Sequence, residues 1–160
     1  MKPLDAIDRR LIELLQAGLP ATVEPWSAIS DQAGLPVGDV LRRVQRMVDC
    51  GIIRRIAAVP NHYRLGLTAN GMTVWDVDDA VVDELGPEVG ALPFVSHCYR
   101  RPRRPPQWPY NLFAMVHGQD RDEVERKRGV IAERLGAAAR TNAVLYSTRI
   151  LKKTGFRLPG

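Results

Sequence analysis

The sequence predicts an α+β protein: a winged helix-turn-helix over residues 1–62, then a ferredoxin-like βαββαβ domain over residues 63–160. Three observations carry that prediction. Apolar residues recur at helical spacing in three short segments, each closed by a glycine. A run rich in branched residues, Ile52-Ile53-Arg54-Arg55-Ile56-Ala57-Ala58-Val59, follows and stops at Pro60, as a strand would. Beyond it, strand-like and helix-like segments alternate in the order β-α-β-β-α-β, which a four-stranded sheet covered on one face by two helices satisfies.

The first helix is expected over residues 4–17. Leu4, Ile7, Leu11, Leu14 and Leu15 form its stripe, Asp5, Asp8, Arg9, Arg10 and Glu13 lie between them, and Gly18 ends it. Pro25 suits the first position of a second helix, where Trp26, Ile29 and Ala33 face inward before Gly34. A third helix over 37–50 sets Val40, Leu41, Val44, Met47 and Val48 on one side and Arg42, Arg43 and Arg46 on the other, with Gly51 as its stop. In the second half, strands are expected over 68–77, 94–100, 110–117 and 143–151. Helices are expected over 78–85, capped by Asp78 or Asp79, and over 121–135. Residues 87–93 are expected to turn, and the domains to meet near 61–67.

Hydrophobic residues make up 45% and charged residues 26% of the 160, an ordinary globular balance with no stretch depleted enough to be disordered. No apolar run nears the roughly 20 residues of a membrane span, and the N-terminus lacks an apolar export signal, so the expected location is the cytoplasm. Cys50 and Cys98 have no metal-site spacing and are expected to be reduced, partly buried thiols. No zinc-type cluster, Walker loop, dinucleotide fingerprint or GxSxG elbow is present, so no metal of the protein's own is expected. The net charge of +5 points to an anionic partner, either nucleic acid or a small molecule with many carboxylates, against the plainer reading of a solvated basic surface.

The charge is concentrated in one place. Arg100-Arg101-Pro102-Arg103-Arg104-Pro105-Pro106-Gln107-Trp108-Pro109 lies between two expected strands, where a hairpin would ordinarily turn on a short Gly or Asn pair. Prolines stiffen such a loop, and arginines present forked donors that match carboxylates. Trp108, Tyr110 and Tyr99 flank it with flat apolar surfaces. Of the three histidines, His97 precedes the loop on one strand, His117 ends the strand after it, and His62 sits at the hinge between the halves. Imidazole serves as a general acid near neutral pH or as an axial ligand to a haem-type iron.

Over its whole length the chain resembles the Lrp/AsnC regulators, with residues 5–59 carrying the first half of the likeness. The second half departs from them. Ser96-His97-Cys98-Tyr99-Arg100-Arg101-Pro102, followed by Trp108-Pro109-Tyr110-Asn111-Leu112-Phe113-Ala114-Met115-Val116-His117-Gly118, resembles the siroheme decarboxylases. So do Gly51-Ile52-Ile53-Arg54-Arg55-Ile56, Asn61-His62-Tyr63-Arg64-Leu65-Gly66 and the tail Tyr146-Ser147-Thr148-Arg149-Ile150-Leu151-Lys152-Lys153. The short chain with its Arg-Pro loop is most similar to the Nir-type subunits designated G and H.

That resemblance implies loss of CO₂ from the C12 and C18 acetate side chains of siroheme, giving 12,18-didecarboxysiroheme for haem d1 or alternative haem synthesis. It implies no cofactor beyond the iron of the siroheme substrate. It also implies a homodimer or a hetero-oligomer with related Nir subunits, with neither DNA nor membrane as partner.

Siroheme is a flat macrocycle bearing many carboxylates, and burying these unpaired would be prohibitive. Arg54, Arg55, Arg100, Arg101, Arg103 and Arg104 are therefore the expected carboxylate ligands, with His62, Trp108 and Asn111 completing the binding set. Loss of CO₂ leaves an electron pair on the side-chain carbon, and a proton must arrive to make the methyl group. His97 is the expected donor or holder of the acetate, with Tyr110 or His117 assisting. Two other readings share parts of this pattern: a DNA-binding regulator using Arg42, Arg43 and Arg46 in a major groove, and a haem-binding sensor or carrier without catalysis. Against the regulator, the densest arginine cluster lies outside the helix-turn-helix.

Overall fold

The computed structural model describes residues 3–152 and 157–158, so Lys153 of the tail motif lies outside the described residues. The chain divides into two units, Met1–Val59 with Lys152–Gly160, and Pro60–Leu151. His62, the last residue of the expected first domain, lies in a turn of the second unit: its carbonyl accepts from the Leu65 and Leu67 amides at 3.1 and 2.9 Å. Lys152–Gly160, expected with the second domain, groups with the first, where the Leu158 amide donates to Gln16 Oε1 at 3.0 Å.

The first unit holds α1 (Ala6–Leu15), α2 (Pro25–Ala33) and α3 (Val37–Asp49). Asp5 caps α1 reciprocally with Asp8, each backbone amide donating to the other's carboxylate at 3.1 and 2.8 Å. Pro25 opens α2. Gly51, at φ 75°, turns the chain out of α3 so that the Ile53 amide reaches the Met47 carbonyl at 2.9 Å. Leu11, Ile29, Val40, Val44 and Met47 form the buried core, each side chain contributing about 1.5–3 kcal/mol by leaving water.

The strand expected over 52–59 does not form, so the helix-turn-helix lacks its wing among the described residues. Ile52 and Ile53 pack on the helical core, but among the described residues no strand of this unit supplies a ladder. The remainder runs out with Ile56 56% and Val59 91% exposed.

Asp8 is fully buried and accepts from Arg43 Nη1 at 2.8 Å and Arg46 Nη2 at 2.5 Å. Burial pushes its carboxyl up, but the hydrogen bonds from Arg46, the Asp5 amide and Arg43 together outweigh this and hold it at about 2. A carboxylate depressed on folding stabilises fully above its unfolded value of 3.8, and that contribution is lost as pH falls from there through about 2. The expected contribution is about 2 kcal/mol. Urea unfolding of Asp8→Asn should show that loss at pH 6 and a flatter decline below pH 4 than the native sequence; parallel acid limbs would remove Asp8 as its origin.

The second unit holds β1 (Ala69–Val77), α4 (Val82–Gly90), β2 (Val95–Arg100), β3 (Leu112–Gly118), α5 (Arg121–Leu135) and β4 (Ala139–Tyr146). The strands are antiparallel in the order β2-β3-β1-β4, the predicted ferredoxin-like sheet. Trp75, Val77, Leu112, Ala114 and Val116 alternate onto one face and bury against Val82 and Val89 of α4 and Val124, Ile131 and Leu135 of α5. The Trp75 indole donates to Thr73 Oγ1 at 2.9 Å, and Thr73 donates to the Ala114 carbonyl at 2.9 Å, so this core buries its polar atoms paired.

Two elements differ from expectation. Neither Asp78 nor Asp79 caps α4, which starts at Val82: Asp78 instead accepts from the Ala80 amide at 2.9 Å, and Asp79 is drawn to the arginine loop. The helix then runs through Pro87, where the preceding Gly86 has no Cβ to meet the proline ring. The last strand starts four residues before the expected 143, because its register from Val77↔Ala139 to Gly71↔Tyr146 is set by the length of β1.

Candidate active site

The face of the sheet away from α4 and α5 carries the alternate residues: Asn70, Met72 and Val74 on β1, Phe113, Met115 and His117 on β3, and His97 and Tyr99 on β2. A hydrogen-bonded chain crosses it. Asn70 Nδ2 donates to the Tyr63 hydroxyl, and Asn70 Oδ1 lies 2.5 Å from His117 Nδ1. His117 Nε2 lies 2.9 Å from Ser96 Oγ, which lies 3.1 Å from His97 Nδ1. The His62 ring stands 5.0 Å from that of His117 and 4.4 Å from Tyr63. The Asn70 atom facing His117 Nδ1 is its oxygen, which can only accept, so it takes the Nδ1–H. In the neutral chain Ser96 then donates to His117 Nε2 and accepts from His97 Nδ1–H, which leaves His97 Nε2 as the exposed end.

The strip continues into the arginine loop. The His97 and Tyr99 rings stack at 6.1 Å, and the Arg101 guanidinium lies 5.7 Å from the Tyr99 ring and 5.1 Å from the Phe113 ring. Trp108 stacks on Phe113 at 6.2 Å. Arg101, Pro102, Arg104, Trp108 and Phe113 line a recess of about 310 Å³. Arg104 and Trp108 close the loop tip with paired backbone hydrogen bonds, both 2.8 Å, around the cis bond of Pro105-Pro106. Among the described residues neither Arg101 nor Arg104 makes an ion pair, so both keep their charge for an anion. A wider hollow of about 740 Å³ lies in the first unit, lined by Ile12, Leu15, Trp26 and Ile56 with Arg55 at its side. It is larger, but it contains no acid-base pair.

Two expected ligands serve the loop instead. Arg103 is only 16% exposed, and its donors are spent: on Asp76 at 2.6 and 3.1 Å, the Pro109 carbonyl at 2.9 Å, Asp79 and the Val77 carbonyl. Its guanidinium, then Asn111, holds the Asp79 carboxyl below its usual range. Asn111 is buried, donating to the Val77 carbonyl and Asp79 at 2.8 and 2.9 Å and accepting from the Val77 amide at 2.9 Å. Both nonetheless line, with Arg100 and Arg101, a recess of about 460 Å³ beside the loop. Tyr110 is turned edge-on to Trp108 at 5.2 Å rather than joined to the histidine chain. Arg100 pairs with exposed Asp83, a weak tie, while Arg54 and Arg55 are exposed residues of the first unit.

Sequence reading missed Asn70 and Ser96. Asn70 is a lone amide on the alternate face of an apolar strand, the one trace it leaves. Ser96 reaches the chain only because β2 shifts register between Val95 and His97. Of the thiols, Cys98 is half-buried as expected, and burial pushes it up, whereas Cys50 is exposed because it follows the last turn of α3. Among the described residues no group of histidines, cysteines and carboxylates is arranged to hold a metal, and no helix is long and apolar enough to cross a membrane.

Family matches divide the sequence as the structure does. Residues 8–54 match the siroheme decarboxylase NirDL-like HTH domain, and residues 64–152 the AsnC-like ligand binding domain. The siroheme decarboxylase NirH subunit of Stutzerimonas stutzeri is 57% identical over 98% of this chain and 92% of its own. The chain belongs to the siroheme decarboxylase family. Among solved siroheme decarboxylases, NirDL in co-complex with an iron-uroporphyrin III analogue superposes with a TM-score of 0.65 at 29% identity, covering 98% of this chain and 48% of that one. An AsnC family transcriptional regulator from Agrobacterium tumefaciens superposes with a TM-score of 0.78 at 18% identity, covering 98% and 97%, a likeness of fold alone.

The arginines of α3 are paired with acids of their own unit. Arg43 pairs with Asp5 and Asp8, Arg46 with Asp8, and Arg42 with Asp39 on its own helix. The charges expected to face a major groove neutralise acids of this unit instead.

Proposed function

We propose that this chain is a siroheme decarboxylase subunit that removes CO₂ from the C12 and C18 acetates of siroheme to give 12,18-didecarboxysiroheme. The observation that carries the reading is the strip on the sheet face away from α4 and α5, from His117 through Ser96, His97 and Tyr99 to Arg101, Phe113 and Trp108. A flat polycarboxylate fits it: aromatic rings for the macrocycle, Arg101 and Arg104 for carboxylates, and an imidazole beside them. Arg100 supplies further charge, and the His62 ring stands beside that of His117. The iron is the substrate's own.

In this reading Arg101 and Arg104 fix the macrocycle edge so that one acetate lies at His97. The C–CO₂⁻ bond breaks, the electron pair stays on the side-chain carbon and spreads into the ring, and His97 Nε2–H supplies the proton that completes the methyl group. The reading includes cytoplasmic action and assembly with a second copy or a related subunit, consistent with the "subunit" designation of the NirH relative.

The test is anaerobic incubation of the pure chain with siroheme, alone and with its neighbouring subunits, followed by mass spectrometry of the tetrapyrrole. Loss of two CO₂ is expected. Unchanged siroheme in every combination, with tight salt-sensitive binding to promoter DNA, would restore the regulator.

A further inference from the structure

The decarboxylation proposed above, on which this inference rests, consumes one proton for each CO₂ released. His97 can give one proton and must then be recharged. We infer that the recharging proton is stored on His117 and reaches His97 through the Ser96 hydroxyl.

The atoms balance along the observed chain. In the charged state His117 carries two protons. Nδ1–H is held by Asn70 Oδ1 at 2.5 Å, and Nε2–H is aimed at Ser96 Oγ at 2.9 Å. The Ser96 hydroxyl is aimed at His97 Nδ1 at 3.1 Å, and His97 carries its own proton on Nε2. As Nε2–H passes to the side-chain carbon, the Ser96 proton moves to His97 Nδ1 and the His117 Nε2 proton moves to Ser96 Oγ. Both imidazoles end neutral and protonated on Nδ1, the hydroxyl is restored, and one proton has left His117. Solvent then returns it.

Asn70 and Tyr63 give this transfer its direction. The Asn70 amide donates to the Tyr63 hydroxyl, and its oxygen, which can only accept, faces His117, so His117 keeps the Nδ1 proton in both states. The proton it can lose is therefore the one facing Ser96. Both are positioning residues. The strand irregularity at Ser96 has the same bearing: in a regular strand Ser96 and His97 would face opposite ways, and with the register shift after Val95 Ser96 meets both His117 and His97.

His62 lies 5.0 Å from His117 ring to ring, beside Tyr63, on the turn before β1, and Lys127 of α5, itself paired with Glu123, donates to the His117 carbonyl at 2.7 Å. Asn70 of β1 and Ser96 of β2 are its hydrogen-bonded side-chain neighbours in the relay.

The decisive variant is Ser96→Ala, at an exposed position where folding is not at stake. Nitrogen NMR of histidine-labelled full-length protein, without substrate, reads the tautomers directly. Neutral His97 is expected on Nδ1–H in the native sequence and on Nε2–H in Ser96→Ala, with its titration uncoupled from that of His117. Ser96→Thr, which keeps the hydroxyl, should restore both. In turnover Ser96→Ala should lower kcat about tenfold or more at unchanged KM and turn a curved proton inventory in mixed light and heavy water into a straight one. An unchanged His97 tautomer, or native kcat and inventory in Ser96→Ala, overturns the relay. If the native assembly never decarboxylates siroheme, the function proposed above falls, and the tautomer measurement still decides whether the two histidines are coupled.

Discussion

Replacing His97 with alanine is expected to lower kcat for siroheme decarboxylation by about 10²–10⁴-fold while changing KM little. The split follows from the geometry. His97 ends the hydrogen-bonded chain at an exposed nitrogen, whereas the groups suited to hold the macrocycle, Arg101, Arg104 and Trp108, lie farther along the strip and touch His97 only through Tyr99. His117→Ala should cost less, because solvent can recharge an exposed His97 slowly. The measurement is single-turnover mass analysis of siroheme with the assembled subunits. A His97→Ala protein that converts siroheme at the normal rate would remove the assignment.

The order of cost, His97 then Ser96 or His117, also separates this arrangement from a passive carrier. A haem-binding protein without chemistry would need the aromatic and cationic half of the strip alone. It would gain nothing from a serine brought by a strand irregularity between two imidazoles, nor from an asparagine whose oxygen is committed to accept. Proton traffic accounts for both.

What the sequence made legible follows from what local pattern encodes. Helical spacing and closing glycines located α1, α2 and α3 within about two residues, because amphipathic stripes and left-handed C-terminal residues are properties of the segment itself. The run over 52–59 looked like a strand by the same local logic, but a strand exists only where a partner offers a ladder, and none of the described residues of that unit does. The start of β4 was misread for a related reason: its register is dictated by β1, more than 60 residues earlier, and Arg140, Thr141 and Asn142 are too polar to announce a strand.

The site was legible in composition and illegible in role. The Arg-Pro loop and its flanking histidines were visible as residue types, and the structure joins His97 and His117 through Ser96. Spacing could not say which arginine would be consumed by acids distant in sequence. Asp76 and Asp79 lie over 20 residues before Arg103, at the end of β1 and in the turn after it, and nothing in the Arg-Pro repeat distinguishes Arg103 from Arg101. Nor could it show that Asn111 would complete the pairing of β1 by offering its side-chain amide to both backbone atoms of Val77.

That distinction gives the second large prediction, a pair of substitutions two residues apart with opposite signatures. Arg103→Ala removes the donors that satisfy Asp76, which is 14% exposed, together with Asp79 and the Val77 and Pro109 carbonyls. Leaving a carboxylate uncompensated costs several kcal/mol in full burial, but Asp76 is partly solvated and keeps Arg140 Nη1 at 3.6 Å, so a loss of about 2 kcal/mol is expected. Arg101→Ala removes contacts to the exposed Tyr99 ring and the buried Phe113 ring but no ion pair, and should cost about 1 kcal/mol. Binding should rank the other way in cause: Arg101→Ala should weaken siroheme by about tenfold or more through lost charge-assisted hydrogen bonds, at a nearly native unfolding midpoint. Arg103→Ala should weaken it only as far as the loop loses its shape, and at low temperature, where the fold persists, binding should partly return. Urea midpoints and absorbance titrations with siroheme read both quantities on the same samples. A native midpoint with weakened binding in Arg103→Ala would put that guanidinium back among the substrate ligands and take Asp76 out of the support of the loop.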